Sequence, residues 1–95
     1  MRKLNEEELA IIATKEDRLN KKYGESDLRF DIEGVEYRNV FPRTTVCLLL
    51  TEKQTYDDYG NLAIGIAMRA KNEPDIPHNG EVIAFVRALD AASPL

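Results

Sequence analysis

The stretch Leu62-Ala63-Ile64-Gly65-Ile66-Ala67-Met68-Arg69-Ala70 alternates large and small side chains without a break. Strict alternation is the period of a strand, whose successive side chains point to opposite faces. Leu62, Ile64, Ile66 and Met68 therefore share one face, and Ala63, Gly65 and Ala67 share the other. Small residues on one face of a strand let another element approach closely. The next segment, 71–79, holds Pro74 and Pro77 among Glu73 and Asp75. Proline lacks a backbone N–H and blocks both regular helix and central strand, so this is an acidic loop. Val82, Phe85, Val86 and Leu89 then recur at helical spacing, with His78 or Asn79 placed to cap the helix and Ser93-Pro94 to stop it.

Working back from this strand–loop–helix, residues 44–51 are β-branched or apolar, with Val46, Leu48 and Leu50 on one face and Cys47 and Leu49 on the other. A strand apolar on both faces is central, or covered on both sides. Between the two strands, 52–61 reads as a polar loop ending in Gly60-Asn61. Leu28, Phe30 and Ile32 alternate with Arg29, Asp31 and Glu33 as a half-buried strand, and Glu33-Gly34 occupies the place of a two-residue hairpin turn before Val35. That register sets Arg29 opposite Arg38 and Asp31 opposite Glu36. Like charges directly opposite are mildly destabilising, so a one-residue bulge at Gly34 is an alternative. Pro42 ends this unit.

At the N-terminus, Asn5 followed by Glu8 is a capping-box pattern, in which each side chain satisfies the other residue's backbone N–H. Leu9, Ile12, Glu16, Leu19 and Tyr23 continue at helical spacing, acids lead and Lys21-Lys22 close, and Gly24 suits the C-terminal cap. These features predict a helix over about 5–23, its apolar stripe interrupted by Glu16. The expected fold is α+β in the order α-β-β-β-β-α, a small antiparallel sheet with two helices mainly on one face, forming a single domain over 1–95.

Composition narrows the function classes. Hydrophobic residues make up 43% and charged residues 32% of the chain, values of a folded globular domain. The longest apolar run, Val46-Cys47-Leu48-Leu49-Leu50, falls far short of the ~20 residues that span a bilayer. No secretory signal pattern opens the chain, and the single Cys47 has no internal disulfide partner, so the cytoplasm is the expected compartment. Net charge is −4, and 25–61 carries Glu25, Asp27, Asp31, Glu33, Glu36, Glu52, Asp57 and Asp58 against Arg29, Arg38, Arg43 and Lys53. Nucleic-acid binding draws most of its affinity from basic residues on phosphate, so this balance argues against it.

No catalytic motif stands out. His78 has only carboxylate and amide neighbours in its loop, Cys47 lies in the most apolar strand, and neither a nucleophile elbow nor a phosphate-binding glycine loop is present. The expectation is a non-enzymatic chain with no metal or cofactor. Tyr56-Asp57-Asp58-Tyr59, with Glu73 and Asp75, has the composition of a protein-binding loop surface, since tyrosine offers large rigid area with a polar tip. Arg43, Arg69, Lys71 and Arg87 are candidates to converge on a phosphate or nucleotide; their bland alternative is surface pairing with Glu73, Asp75 and Glu81.

With two helices on one face of the sheet, the other face of a solitary monomer should be polar. Arg29, Asp31, Glu36 and Arg38 meet that condition, whereas Cys47, Leu49, Ala63, Gly65 and Ala67 make a weakly apolar patch. Contiguous exposed apolar surface marks interaction sites, so this patch is the candidate oligomer face, unless 52–61 or the first helix folds over it.

Gly65-Ile66-Ala67-Met68-Arg69, then Asp75, then Gly80-Glu81-Val82-Ile83-Ala84-Phe85-Val86-Arg87-Ala88-Leu89 resembles the C-terminal half of small accessory proteins of bacteriophages. The order of sheet before closing helix is also similar to that of double-stranded-RNA-binding domains. This chain departs from that second pattern where its closing helix starts, with Glu81 and no base before Arg87. The first resemblance implies a protein-binding module acting on a host factor, with a homodimer as a further expectation; the second implies a nucleic-acid or nucleotide binder.

Overall fold

The computed structural model describes residues 1–41, 43–51, 62–74 and 76–93. The loop expected at 52–61, with its Tyr56-Asp57-Asp58-Tyr59 cluster, and Asp75 lie outside the described residues. The elements run α1 (Glu6–Tyr23), β1 (Ile32–Phe41), β2 (Thr44–Thr51), β3 (Leu62–Met68) and α2 (Pro77–Ala91). The α+β class stands. The described strands number three, in an antiparallel sheet of order β1-β2-β3, where the sequence had suggested four.

The difference lies in the first hairpin. Residues 28–31 do not pair as a strand, because their backbone groups are taken by polar side chains of α1. Leu28 donates its N–H to Asn20 Oδ1 at 2.9 Å, and Phe30 donates to Glu16 Oε2 at 2.9 Å. Glu16, which breaks the apolar stripe of α1, is thus the acceptor that ties the following segment down. The chain then passes through Gly34 as part of β1, with a register shift between Ile32 and Gly34 in place of a turn. Gly34 is needed for another reason. Arg2 and Val35 exchange backbone hydrogen bonds at 3.2 and 3.0 Å, and a side chain at Gly34 would sit 3.2 Å from Met1 Cβ.

α1 starts as its sequence implies: Asn5 Oδ1 accepts from the Glu8 N–H and Glu8 Oε1 accepts from the Asn5 N–H, both at 2.9 Å. Gly24 ends it in the left-handed region, φ 65°. The buried stripe of α1 runs through Glu8 and Ile12, with Leu19 half-buried, while Leu9 and Tyr23 are exposed. α2 begins earlier than His78 or Asn79 would cap it. Pro77 takes its first turn, where a missing N–H is harmless, and Ile76 precedes it without a side-chain cap.

The sheet and helices bury a single core. Val35 of β1, Cys47 and Leu49 of β2, and Ala63 and Ala67 of β3 face Ala84, Phe85, Ala88 and Leu89 of α2. Gly65 is the point of closest approach: a β-carbon there would lie less than 3.0 Å from the Ala84 carbonyl oxygen and the Ala88 backbone. The small face of β3 is therefore the covered one. This reverses the expectation that Cys47, Leu49, Ala63, Gly65 and Ala67 form an open oligomer face; all are buried beneath α2. The physical reason is complementarity of size, since only the small side of β3 admits a helix backbone, and Phe85 and Leu89 of α2 are fully buried in the core that results.

Candidate interaction surface

Placing the small residues inward forces the large ones outward. Leu62, Ile64, Ile66 and Met68 are 51%, 51%, 48% and 75% exposed, an unusual state for four successive same-face residues of one strand. Register extends the row into a patch. Val46 pairs with Ile66, Leu48 with Ile64, and Leu50 with Leu62. The Arg69 N–H donates to the Arg43 carbonyl at 2.7 Å, which makes 43 and 69 a hydrogen-bonded pair and sets the alternation along the ladder. The three apolar pairs fall at the non-hydrogen-bonded positions, where facing side chains come closest. They form a continuous ridge two strands wide, with Val46, Leu48 and Leu50 half-buried beside the exposed row.

Among the described residues, charge appears only at the far margin of this face. Glu36 lies beside Leu48 and Arg38 beside Val46. These two bind each other, Arg38 Nη2 to Glu36 Oε2 at 2.9 Å and Nε to the same oxygen at 3.0 Å. Among the described residues no element packs on this face; α2 lies against β2 and β3 from the opposite side.

Among the described residues β3 is also an edge strand, and by the same alternation Leu62, Ile64, Ile66 and Met68 aim their backbone groups away from β2. An uncharged edge invites pairing with another chain. Here Arg87 of α2 reaches round and donates Nη1 to the Ile66 carbonyl at 2.6 Å, occupying one of those acceptors. The four candidate phosphate-contacting bases are therefore divided. Arg87 is on the β3 edge. Arg43 and Arg69 line a groove of about 500 Å³ at the end of β2 and β3, together with Thr45, Glu73 and Asn79. Lys71 is exposed and does not line it.

A third feature is a polar network buried under α1. Glu8 is 4% exposed and receives Arg2 through both oxygens, at 2.7 and 2.9 Å, and the Tyr37 hydroxyl at 2.7 Å. Arg2 also lies 5.7 Å from the Tyr37 ring centre. Burial works to raise the Glu8 carboxyl, but the bonds from Arg2, Asn5 and Tyr37 outweigh it and hold the group below its ordinary range. Cys47, paired with Tyr37 in register, has its thiol pushed up to about 12, first by burial and then by the Glu8 charge. A neutral buried thiol and a carboxylate with its acceptors filled are structural groups, poorly suited to nucleophilic or acid–base work. The only legible trace of this network was the Asn5–Glu8 capping box.

His78 Nε2 sits 3.0 Å from Glu7 Oε1, joining the starts of the two helices. Among the described residues no three metal-ligating side chains cluster, and no helix is long and apolar enough to cross a membrane. Comparison with protein families, with characterised proteins and with solved structures returned no match.

Proposed function

We propose that this chain is a non-enzymatic protein-binding module that works through the open face of its sheet. The observation that carries this reading is the row Leu62, Ile64, Ile66 and Met68, each about half exposed or more and backed by Val46, Leu48 and Leu50. Soluble monomers rarely leave a contiguous apolar patch of several hundred Å² uncovered unless it is used. β3, at ~3.4 Å per residue, and the two apolar strands at ~4.8 Å spacing give a patch of roughly 24 by 10 Å, at the lower end of that range. The resemblance of 65–89 to small bacteriophage accessory proteins supports a more specific version, an inhibitor acting on a host factor, and rests on those residues alone.

The test is a paired measurement on Ile64→Lys. Because Ile64 points away from the core, the variant keeps its thermal stability within about 0.5 kcal/mol of the parent and loses most of the binding of a hydrophobic fluorescent dye to the native chain. A variant that unfolds, or one that binds the dye unchanged, counts against the reading.

A second reading, a nucleic-acid binder, is favoured by the observed order α-β-β-β-α, similar to that of double-stranded-RNA-binding domains, and by Arg43 and Arg69 sharing a groove. Against it, α2 opens Pro77-His78-Asn79-Gly80-Glu81, without a base. Absence of a mobility shift at low salt removes it.

A further inference from the structure

We infer that the occupant of the open sheet face is a second copy of this chain, stacked face to face about a two-fold axis that passes near Leu48 and Ile64. This rests on the reading of that face as a binding surface, and it names the partner.

Three observations select a copy of the chain. First, the edge route is obstructed. Adding a strand along the whole of β3 needs the Ile66 carbonyl, which Arg87 already holds at 2.6 Å, and this favours approach onto the face. Second, the charges are self-complementary. The chain carries −4 overall, which would repel an identical partner, yet the described part of this face presents one acid and one base, Glu36 and Arg38, already neutralising each other at its margin. A two-fold axis through the apolar ridge leaves these pairs at the rim, where a Glu36 of one copy can also meet an Arg38 of the other. An acidic or basic partner would find no net charge on the described part of the face to select it. Third, the Val46–Ile66, Leu48–Ile64 and Leu50–Leu62 pairs form a ridge with Leu48–Ile64 at its middle. Such a ridge can pack on its own image at the ~10 Å spacing of stacked sheets. A closed two-fold contact uses the same patch twice and ends there, leaving neither copy with an open apolar face.

The size of the face sets the strength. A footprint of roughly 24 by 10 Å is small beside the ~800 Å² per partner of a standard interface. The dimer is therefore weak and concentration-dependent, dissociating in the micromolar range or above.

The experiment is sedimentation of the full chain from about 1 to 500 μM, with carbene footprinting of the most dilute sample. The mass is expected to rise with concentration from the monomer's 10.8 kDa toward twice that value. Ile64→Lys, at the axis, weakens association at least tenfold, and Met68→Lys, at the rim, weakens it less. An equimolar mixture of Ile64→Lys and Ile64→Glu recovers association, because the axis brings position 64 against its own image. Circular dichroism verifies that each variant is folded. A chain that stays monomeric throughout while Ile64, Ile66 and Met68 label readily overturns the second copy and leaves the open-face reading standing. A monomer in which those residues resist labelling overturns both. A dimer indifferent to Ile64→Lys overturns the proposed interface.

Discussion

Gly65 of β3 lies so close to the Ala84 carbonyl of α2 that no side chain, not even a methyl group, fits between them. This contact decides which face of the strand is buried, and the rest of the surface follows from it. Replacement by alanine puts the new carbon against backbone atoms, which cannot rotate away as a flexible side chain would. Gly65→Ala is therefore expected to lose about 2–3 kcal/mol in chemical denaturation, the upper part of the overpacking range. Gly80→Ala serves as the comparison: its new carbon meets the Thr45 hydroxyl at 2.8 Å, a side-chain atom that can move, and the helix gains propensity. Its loss is expected to be the smaller of the two.

The Glu8 network predicts a pH dependence. The folded carboxyl is held below its ordinary value of 4.5, so its contribution to stability is present above that value and is lost as pH falls through the depressed one. Glu8→Gln is expected to cost about 2 kcal/mol at neutral pH, moderated by the partial exposure of Arg2, and to flatten the acid limb of the stability curve. Tyr37→Phe, which removes one bond to the carboxylate, is expected to cost about 1.5 kcal/mol. Urea titrations at neutral pH and below pH 4.5 measure both. An acid limb unchanged in Glu8→Gln would place the titrating group elsewhere.

Cys47 predicts a chemical behaviour. Fully buried and with its thiol raised to about 12, it carries almost no thiolate near neutral pH. Alkylation of the native chain at pH 8 should proceed only through unfolding, so its rate should climb with urea as the unfolded population does. The sign on the alkaline side follows. The raised value means stability is full below the ordinary thiol value of 9.0 and is lost as pH rises through the folded one. Fast labelling in buffer alone would show that β2 opens without global unfolding.

Much of this arrangement was legible in the sequence, where the signal is local. The Asn5–Glu8 box, Gly24, the alternation of 62–68 and the 82, 85, 86, 89 spacing all belong to their own elements, and they locate α1, β3 and α2. The failures have a common cause: they depend on distant partners. Leu28 and Phe30 alternate like a strand, but their N–H groups go to Asn20 and Glu16 of α1. Glu33-Gly34 has the letters of a turn, but Gly34 is small because Met1 and Arg2 cross it. Period-two alternation separates the faces of β3 without saying which one a helix will choose. That choice came from the fit of α2 to Gly65. The basic cluster dispersed for a similar reason, since Arg87 follows α2 to the strand edge while Arg43 and Arg69 stay at the strand ends.

Arg87 makes a separable prediction about the edge. Removing it uncovers the Ile66 carbonyl and leaves β3 with an apolar, uncharged edge, the kind of template that pairs indiscriminately. Arg87→Ala is expected to leave stability within about 0.5 kcal/mol while raising aggregation at elevated concentration, followed by light scattering. A variant as soluble as the parent would mean the guanidinium contributes nothing to edge protection.

The large side chains of β3 face outward and its small ones lie under α2. Methyl NMR with a soluble paramagnetic agent, at a concentration where association is negligible, reads both faces in one spectrum. The Ile64, Ile66 and Met68 methyls should relax strongly, while those of Ala63, Ala67, Leu49 and Ala84 should be protected. Protection of Ile64 and Ile66 together with strong relaxation of Ala63 and Ala67 would mean that β3 faces the other way.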